Sequence, residues 1–227
     1  MPRTARTAAK PPAALPRFRT PEGIRYAELD DQALLSILLR HAPDDPDRLA
    51  GRLLARFGGL AAAAAADPAE LARAAQAEPE AILDLRVAHE LAVRLAREEA
   101  ARRPVIASWT ALRDYVRTAM AHLPREQFRV LFLDHRNNLM RDELMAEGTV
   151  DHAPVYPREV LRRALEVSAS NLVLVHNHPS GDPTPSRADI EMTRRVVDAA
   201  RCLGLQVHDH LVVGREGTAS FRALGLM

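Results

Sequence analysis

The feature that most constrains this chain is a short apolar run, Leu172-Val173-Leu174-Val175, that passes without a break into His176-Asn177-His178-Pro179. Apolar at every position, the run predicts a strand covered on both faces. Pro179 cannot donate to a sheet ladder and ends it. Gly181, Pro183 and Pro185 stiffen the loop that follows, and Ser186 stands where a helix begins.

The flanking sequence has the same mixed texture. Ser108 to Leu123 predicts a helix, Phe128–Leu133 a strand, His135–Asn138 a turn and Leu139–Glu147 a second strand that stops at Gly148. Pro157 opens a helix with Val160, Leu161, Ala164 and Leu165 on one face. A helix over 186–203 ends at Gly204, and 205–213 is strand-like. Strands alternating with helices imply an α/β or α+β layer structure.

Upstream of Arg102-Arg103-Pro104 the pattern carries no strand signal. Asp30 caps a helix bearing Leu34, Leu35, Ile37, Leu38 and Leu39, which Pro43 and Pro46 close off. A second helix near Asp47–Phe57 stops at Gly58-Gly59, and the Ala61–Ala66 run predicts a short packed helix because Ala is the best helix former. Asp67-Pro68-Ala69-Glu70 opens another, and Pro79 starts a long helix through Leu83, Val87, Leu91, Val93 and Leu95 to about Arg102.

Size and composition set outer bounds. At 227 residues the chain holds one full domain and room for a small second one. The hydrophobic fraction of 47% supports a sizeable core, which is aliphatic because aromatics make up only 4%. Cys202 is the single cysteine, so no internal disulfide forms and a reducing, cytoplasmic setting is expected. It falls within a helix and is expected to be a small buried residue. No transmembrane run exists, and no apolar stretch follows Arg3 and Arg6 to make a secretory signal. The net charge of +1 conceals an uneven distribution. Arg3, Arg6, Lys10, Arg17 and Arg19 lie in the Pro/Ala/Thr/Arg-rich segment 1–22, expected to be a disordered basic tail. Setting those aside from the 31 Lys and Arg leaves the 30 Asp and Glu in excess, so the body is mildly acidic.

His176 and His178 are i and i+2 on a strand, so both imidazoles project from one face. Asp189 lies three residues beyond Ser186, in the first turn of the next helix, where the helix dipole keeps a carboxylate ionised. Ser186-x-x-Asp189 is also a capping box, and the two roles are compatible. Two imidazoles and one carboxylate leave the fourth tetrahedral position of zinc open for water, as a catalytic centre requires. Asp182 reads as a turn-forming acid outside the site. His208-Asp209-His210 is a second His-x-His, for which no distant fourth ligand is evident. A role supporting the zinc histidines, or a structural one, fits Asp209 and His210 better than a second metal.

The string His176-Asn177-His178-Pro179-Ser180-Gly181-Asp182-Pro183-x-Pro185-Ser186-x-x-Asp189 resembles the metal motif of the JAMM/MPN metallo-isopeptidase fold, in the spelling of its bacterial RadC branch. Gly148-Thr149 with Val155-Tyr156-Pro157-Arg158-Glu159 is similar to that family's GT…YPRE segment, Asp209-His210…Gly214 to its DHxxxG strand, and Ser220-Phe221 to its terminal SF. The resemblance implies an MPN/JAMM zinc hydrolase domain over 105–227, of the α+β layered kind with a central mixed sheet flanked by helices. It implies zinc held by His176, His178 and Asp189, an upstream glutamate as general base and Ser186 as a donor to the oxyanion. Asp142, Glu143 and Glu147 are all near enough, and Glu143, five before Gly148, matches the place of the family's strand glutamate.

Residues 23–102 resemble the N-terminal part of RadC proteins more loosely, through Asp31-Gln32-Ala33-Leu34-Leu35 and Arg56-Phe57-Gly58-Gly59-Leu60. Relatives follow with a helix-hairpin-helix whose glycine turn can bind DNA phosphate. Here Ala75-Gln76-Ala77-Glu78-Pro79-Glu80-Ala81 lacks the glycines and carries two glutamates, so the hairpin is degenerate. The expected function is a zinc-dependent hydrolase of peptide or isopeptide bonds in a peptide or protein substrate, with no membrane partner. The alternative is a DNA repair-associated nucleic-acid-binding or processing factor, which the basic tail and the degenerate hairpin would support.

Overall fold

The computed structural model describes residues 26–74, 76–148 and 155–227. The expected tail 1–22, Ala75 of the degenerate hairpin and Thr149 of the Gly148-Thr149 pair lie outside the described residues.

The first module is helical. Asp30 accepts the N–H of Ala33 at 2.8 Å and starts α1 (Asp31–Leu38). Asp45 caps α2 (Pro46–Phe57), and Gly58 ends it at φ 82°, a left-handed conformation that suits glycine. Next come α3 (Leu60–Ala65), α4 (Pro68–Ala74) and α5 (Pro79–Ala101). Leu35, Leu39, Leu49, Leu53, Leu71 and Leu85 close the core of this module.

The long helix α5 packs through Ala81, Leu85 and Ala100. Ala81 and Leu85 enter the helical core, while Ala100, with Val93 and Ala96 beside it, reaches the core beneath the next domain's sheet. Other large aliphatics of the helix are on the opposite side: Leu83, Val87, Leu91 and Leu95 are 62, 49, 56 and 67% exposed.

A 3-10 turn, Val105–Ser108, leads into α6 (Trp109–Met120), shorter than the helix expected to Leu123. There follow β1 (Gln127–Leu133), β2 (Leu139–Glu147), α7 (Pro157–Glu166), β3 (Asn171–Asn177), α8 (Arg187–Cys202), β4 (Gln206–Gly214) and β5 (Gly217–Ser220). Among the described residues they form a five-stranded sheet in the order β2-β1-β3-β4-β5. β3 and β4 are parallel, joined by the crossover helix α8, and the other pairs are antiparallel. The architecture is therefore the expected mixed sheet flanked by helices, preceded by an all-α region.

Alternation along β1 builds the layers. Phe128, Val130 and Phe132 pack under α7 and α8, and Leu131 and Leu133 under α6. Every residue of β3 is buried, as a strand covered on both faces requires. The short strand β5 gave no sequence signal, since Gly217-Thr218-Ala219-Ser220 carries no large apolar residue. Cys202 departs from expectation as well: it lies in the last turn of α8 on the exposed side. Among the described residues no helix is long and apolar enough to cross a membrane.

Candidate metal centre

The site lies where β3 ends. His176 is 1% exposed and opposite Phe128 of β1. His178 follows the strand, its backbone N–H donating to the carbonyl of Val213 on β4 at 2.9 Å. The loop beyond is tied to the β4–β5 hairpin, with Glu216 N–H donating to the carbonyl of Gly181 at 3.1 Å and the Arg215 guanidinium donating to that of Ser180 at 2.8 Å. This approach requires glycine at 214, because a Cβ there would sit 2.1 Å from the Gly181 oxygen.

The third member comes from α8. Ser186 is the N-cap, its Oγ accepting Asp189 N–H at 3.2 Å while its own backbone N–H donates to Asp189 Oδ2 at 2.7 Å. The reciprocal cap fixes the Asp189 carboxylate toward β3. His176 Nε2 and His178 Nε2 are 3.0 Å apart. Asp189 Oδ1 lies 3.4 Å from the first and Oδ2 3.5 Å from the second. Tetrahedral zinc with bonds of about 2.0 Å has ligand-to-ligand edges of about 3.3 Å, so the three side chains fit such an ion.

The protonation pattern fits too. His178 Nδ1 is 2.9 Å from the carbonyl of Asp182, which can only accept, so Nδ1 carries the proton and Nε2 is bare in the neutral ring. A bare nitrogen facing another nitrogen at 3.0 Å needs a proton or a cation between them. Burial alone would raise the Asp189 carboxyl, but hydrogen bonds with His176, His178 and Ser186 outweigh it and hold the group well below the usual carboxylate range. His178 is raised above its ordinary value, chiefly by the bond to Asp189 against the opposing effect of burial, with the charges of Asp189 and Glu126 contributing.

A second layer backs the first. His176 Nδ1 meets His210 Nε2 at 2.8 Å, and His210 Nδ1 meets Thr193 Oγ1 at 2.6 Å. His210 is fully buried, stacked on Phe221 with ring centroids 4.5 Å apart, and burial pushes its pKa far down. Its neighbour on the motif, His208, turns elsewhere. A bulge between Leu172 and Val173 skips it in the pairing, and its ring bonds Asn137. Asp209 anchors the C-terminal turn, accepting from Ser220 Oγ and from the backbone N–H groups of His210 and Arg222.

The structure does not bring Glu143 to the cluster. Its carboxylate is gripped by Arg163 of α7 at 2.6 and 2.7 Å, and this hydrogen bond, against a smaller effect of burial, lowers its pKa. Register explains the separation: Glu143 stands opposite Val130, whereas the His176 row runs through Phe128 to Ala146. Asp142 is bound by Tyr115 and Arg129, and Glu147 by Arg125. The Ser186 hydroxyl donates to Asp189 Oδ2 at 2.6 Å, so its hydrogen is engaged.

An acid overlooked in the sequence stands closer. Extending the antiparallel register of β1 and β3 by two residues from the Phe128–His176 pair sets Glu126 opposite His178. Its half-buried carboxylate has no hydrogen bond or ion pair among the described residues. The period-2 alternation was the available signal: Glu126 shares a face with Phe128, Val130 and Phe132, the side from which the histidines project.

A mixed sheet flanked by helices with a His-x-His…Asp cluster at the end of β3 is the arrangement expected of a JAB-type domain. The family model of the RadC-like JAB domain matches residues 106–226, and the chain belongs to that RadC family. A curated relative, the UPF0758 protein of Rhodobacter capsulatus, is 54% identical over 212 residues, which cover 93% of this chain and 98% of the relative.

Proposed function

We propose that this protein is a zinc-dependent hydrolase of peptide or isopeptide bonds, with His176, His178 and Asp189 as ligands and Glu126, rather than Glu143, as general base. One observation carries the reading: two imidazole Nε2 atoms 3.0 Å apart converge with a carboxylate in the first turn of a helix. When bound there, zinc supplies a Lewis acid and a water acidic near neutral pH.

The chain's own groups supply the rest. Glu126, whose carboxylate has no hydrogen bond or ion pair among the described residues and which lies across from His178, accepts the proton of the attacking water and returns it to the leaving amine. Ser186 can donate to the developing oxyanion once its hydroxyl releases Asp189. His176, 1% exposed, closes the back of the site, while His178 and Asp189, with side chains 18 and 14% exposed, form its mouth. A cleft of about 300 Å³ lined by Arg56, Phe57, His122, Leu123, Pro179 and Arg215 runs beside the loop after His178 and gives a peptide segment a path between the two modules. Glu78 and Glu80 flank Pro79 at the start of α5, where a phosphate would meet two negative charges, so the hairpin offers nucleic acid no docking point.

The test is metal analysis paired with a peptide-library screen run with zinc and with chelator. One zinc per chain and chelator-sensitive cleavage are expected. His176→Ala should lose the zinc, and Glu126→Gln should keep it and lose cleavage. Zinc content unchanged in His176→Ala would sink the ligand assignment.

A further inference from the structure

We infer that Thr193 is a positioning residue that fixes which nitrogen of His176 is bare, acting through His210. This deepens the metal reading above and rests on it.

The inference follows from counting hydrogens along a buried chain of three contacts. Thr193 Oγ1 lies 2.6 Å from the carbonyl oxygen of Asp189, one turn earlier on α8. A carbonyl only accepts, so the single hydroxyl hydrogen of Thr193 points there. Oγ1 also lies 2.6 Å from His210 Nδ1, and with its hydrogen spent it can only accept that contact. His210 Nδ1 therefore carries a proton. Buried and neutral, the ring has a bare Nε2, which lies 2.8 Å from His176 Nδ1. His176 must then donate from Nδ1, and its own Nε2 is bare, aimed at His178 Nε2 3.0 Å away.

His178 reaches the same state independently through the carbonyl of Asp182. Two lone pairs thus face each other beside the Asp189 carboxylate, an arrangement that favours a cation over a proton shared between neutral rings. The relay also couples the two elements of the site. α8 carries both Asp189 and Thr193, so the helix that supplies one ligand sets the tautomer of another. Phe221, stacked on His210, and Phe128, edge-on at 5.7 Å, hold the plane of the His210 ring, and the contacts to Thr193 and His176 place its nitrogens.

The experiment compares wild type, Thr193→Val and Thr193→Ser in the full chain. Zinc affinity is read by chelator competition, and the imidazole tautomers of the metal-free protein by nitrogen-15 NMR. Removing the hydroxyl while keeping the shape should weaken zinc binding about 10- to 100-fold and shift His176 away from the Nδ1–H form. Thr193→Ser should restore both. Equal zinc affinity in Thr193→Val and wild type, with His176 still protonated at Nδ1, overturns the inference and leaves the metal reading intact. A wild type that takes up no zinc overturns both. Should Thr193→Val fail to fold, Thr193→Ala against Thr193→Ser makes the same comparison.

Discussion

The backbone N–H of Gln127 donates to Oδ1 of Asn177 at 2.9 Å, and Nδ2 of the same side chain donates to the carbonyl of Arg125 at 3.1 Å. The two bonds bracket Glu126. Asn177, buried between the two histidines, thereby holds the start of β1 against the end of β3. Asn177→Leu keeps the branched shape but leaves the Gln127 N–H and the Arg125 carbonyl without their partner, at a cost of about 1–3 kcal/mol. His176, His178 and Asp189 are untouched, so one zinc per chain is expected to remain. Freed by an ångström or so, Glu126 would act less well as a base, and kcat should fall about a hundredfold. Unchanged kcat in a folded, zinc-loaded variant would show that the clamp has no part in positioning the base.

The contrast between Glu126 and Glu143 marks how far the sequence could be read. The His176/His178 pair, the loop prolines and the Ser186–Asp189 cap are local, and period-2 and capping rules read the histidines at the end of a strand and the carboxylate in the first turn of the next helix. The proposed general base, Glu126, precedes a different strand, and its place opposite His178 depends on register. Both glutamates project toward the α7 and α8 layer, so facing alone does not separate them. What separates them is Arg163, twenty residues from Glu143 in sequence and on a different element. The buried side of α5 was not legible for a similar reason: it is chosen by packing against α6 and the helical core, which takes up Ala81, Leu85 and Ala100.

Glu143→Gln should spare both zinc and cleavage and affect stability alone. The bidentate pair with Arg163 is partly exposed, with side chains 24 and 33% accessible, and is worth about 1 kcal/mol. Its pH dependence has a definite sign. The hydrogen bond from Arg163 lowers the folded-state pKa of Glu143 below the ordinary 4.5. The contribution is therefore complete above pH 4.5 and is lost as pH falls through the lower folded value. Urea midpoints of wild type and Glu143→Gln should differ at neutral pH and converge in acid. A folded, zinc-loaded Glu143→Gln without activity would return the base to Glu143.

Gly214→Ala probes the seat of the metal loop. Its added Cβ would meet the Gly181 oxygen at 2.1 Å and the Gly181 carbonyl carbon at 2.7 Å, both backbone atoms. One of the two chains must move. Since Val213 accepts from His178 N–H and Gly181 N–H donates to the His178 carbonyl, the displacement reaches the ligand directly. A loss of about 1–3 kcal/mol in stability is expected, together with weaker zinc binding in chelator competition. Gly204→Ala serves as the control for glycine loss in general. Nothing lies within 4 Å of a Cβ there, so its penalty is the left-handed φ of 70° alone and zinc affinity should be unchanged.

The two sides of α5 should respond oppositely to the same kind of change. Leu85 is fully buried among Leu35, Leu49 and Leu53, so Leu85→Ala removes apolar contacts and leaves a cavity, at about 2–5 kcal/mol. Leu91 and Leu95 are 56 and 67% exposed. Gln at either position keeps a strong helix former, and the thermal midpoint should move by no more than about 0.5 kcal/mol equivalent. Thermal melts of the two single Gln variants and Leu85→Ala decide the point. A large loss at Leu91→Gln or Leu95→Gln would mean that the exposed stripe is covered in solution, and sedimentation at several protein concentrations would then show whether the cover is a second copy of the chain.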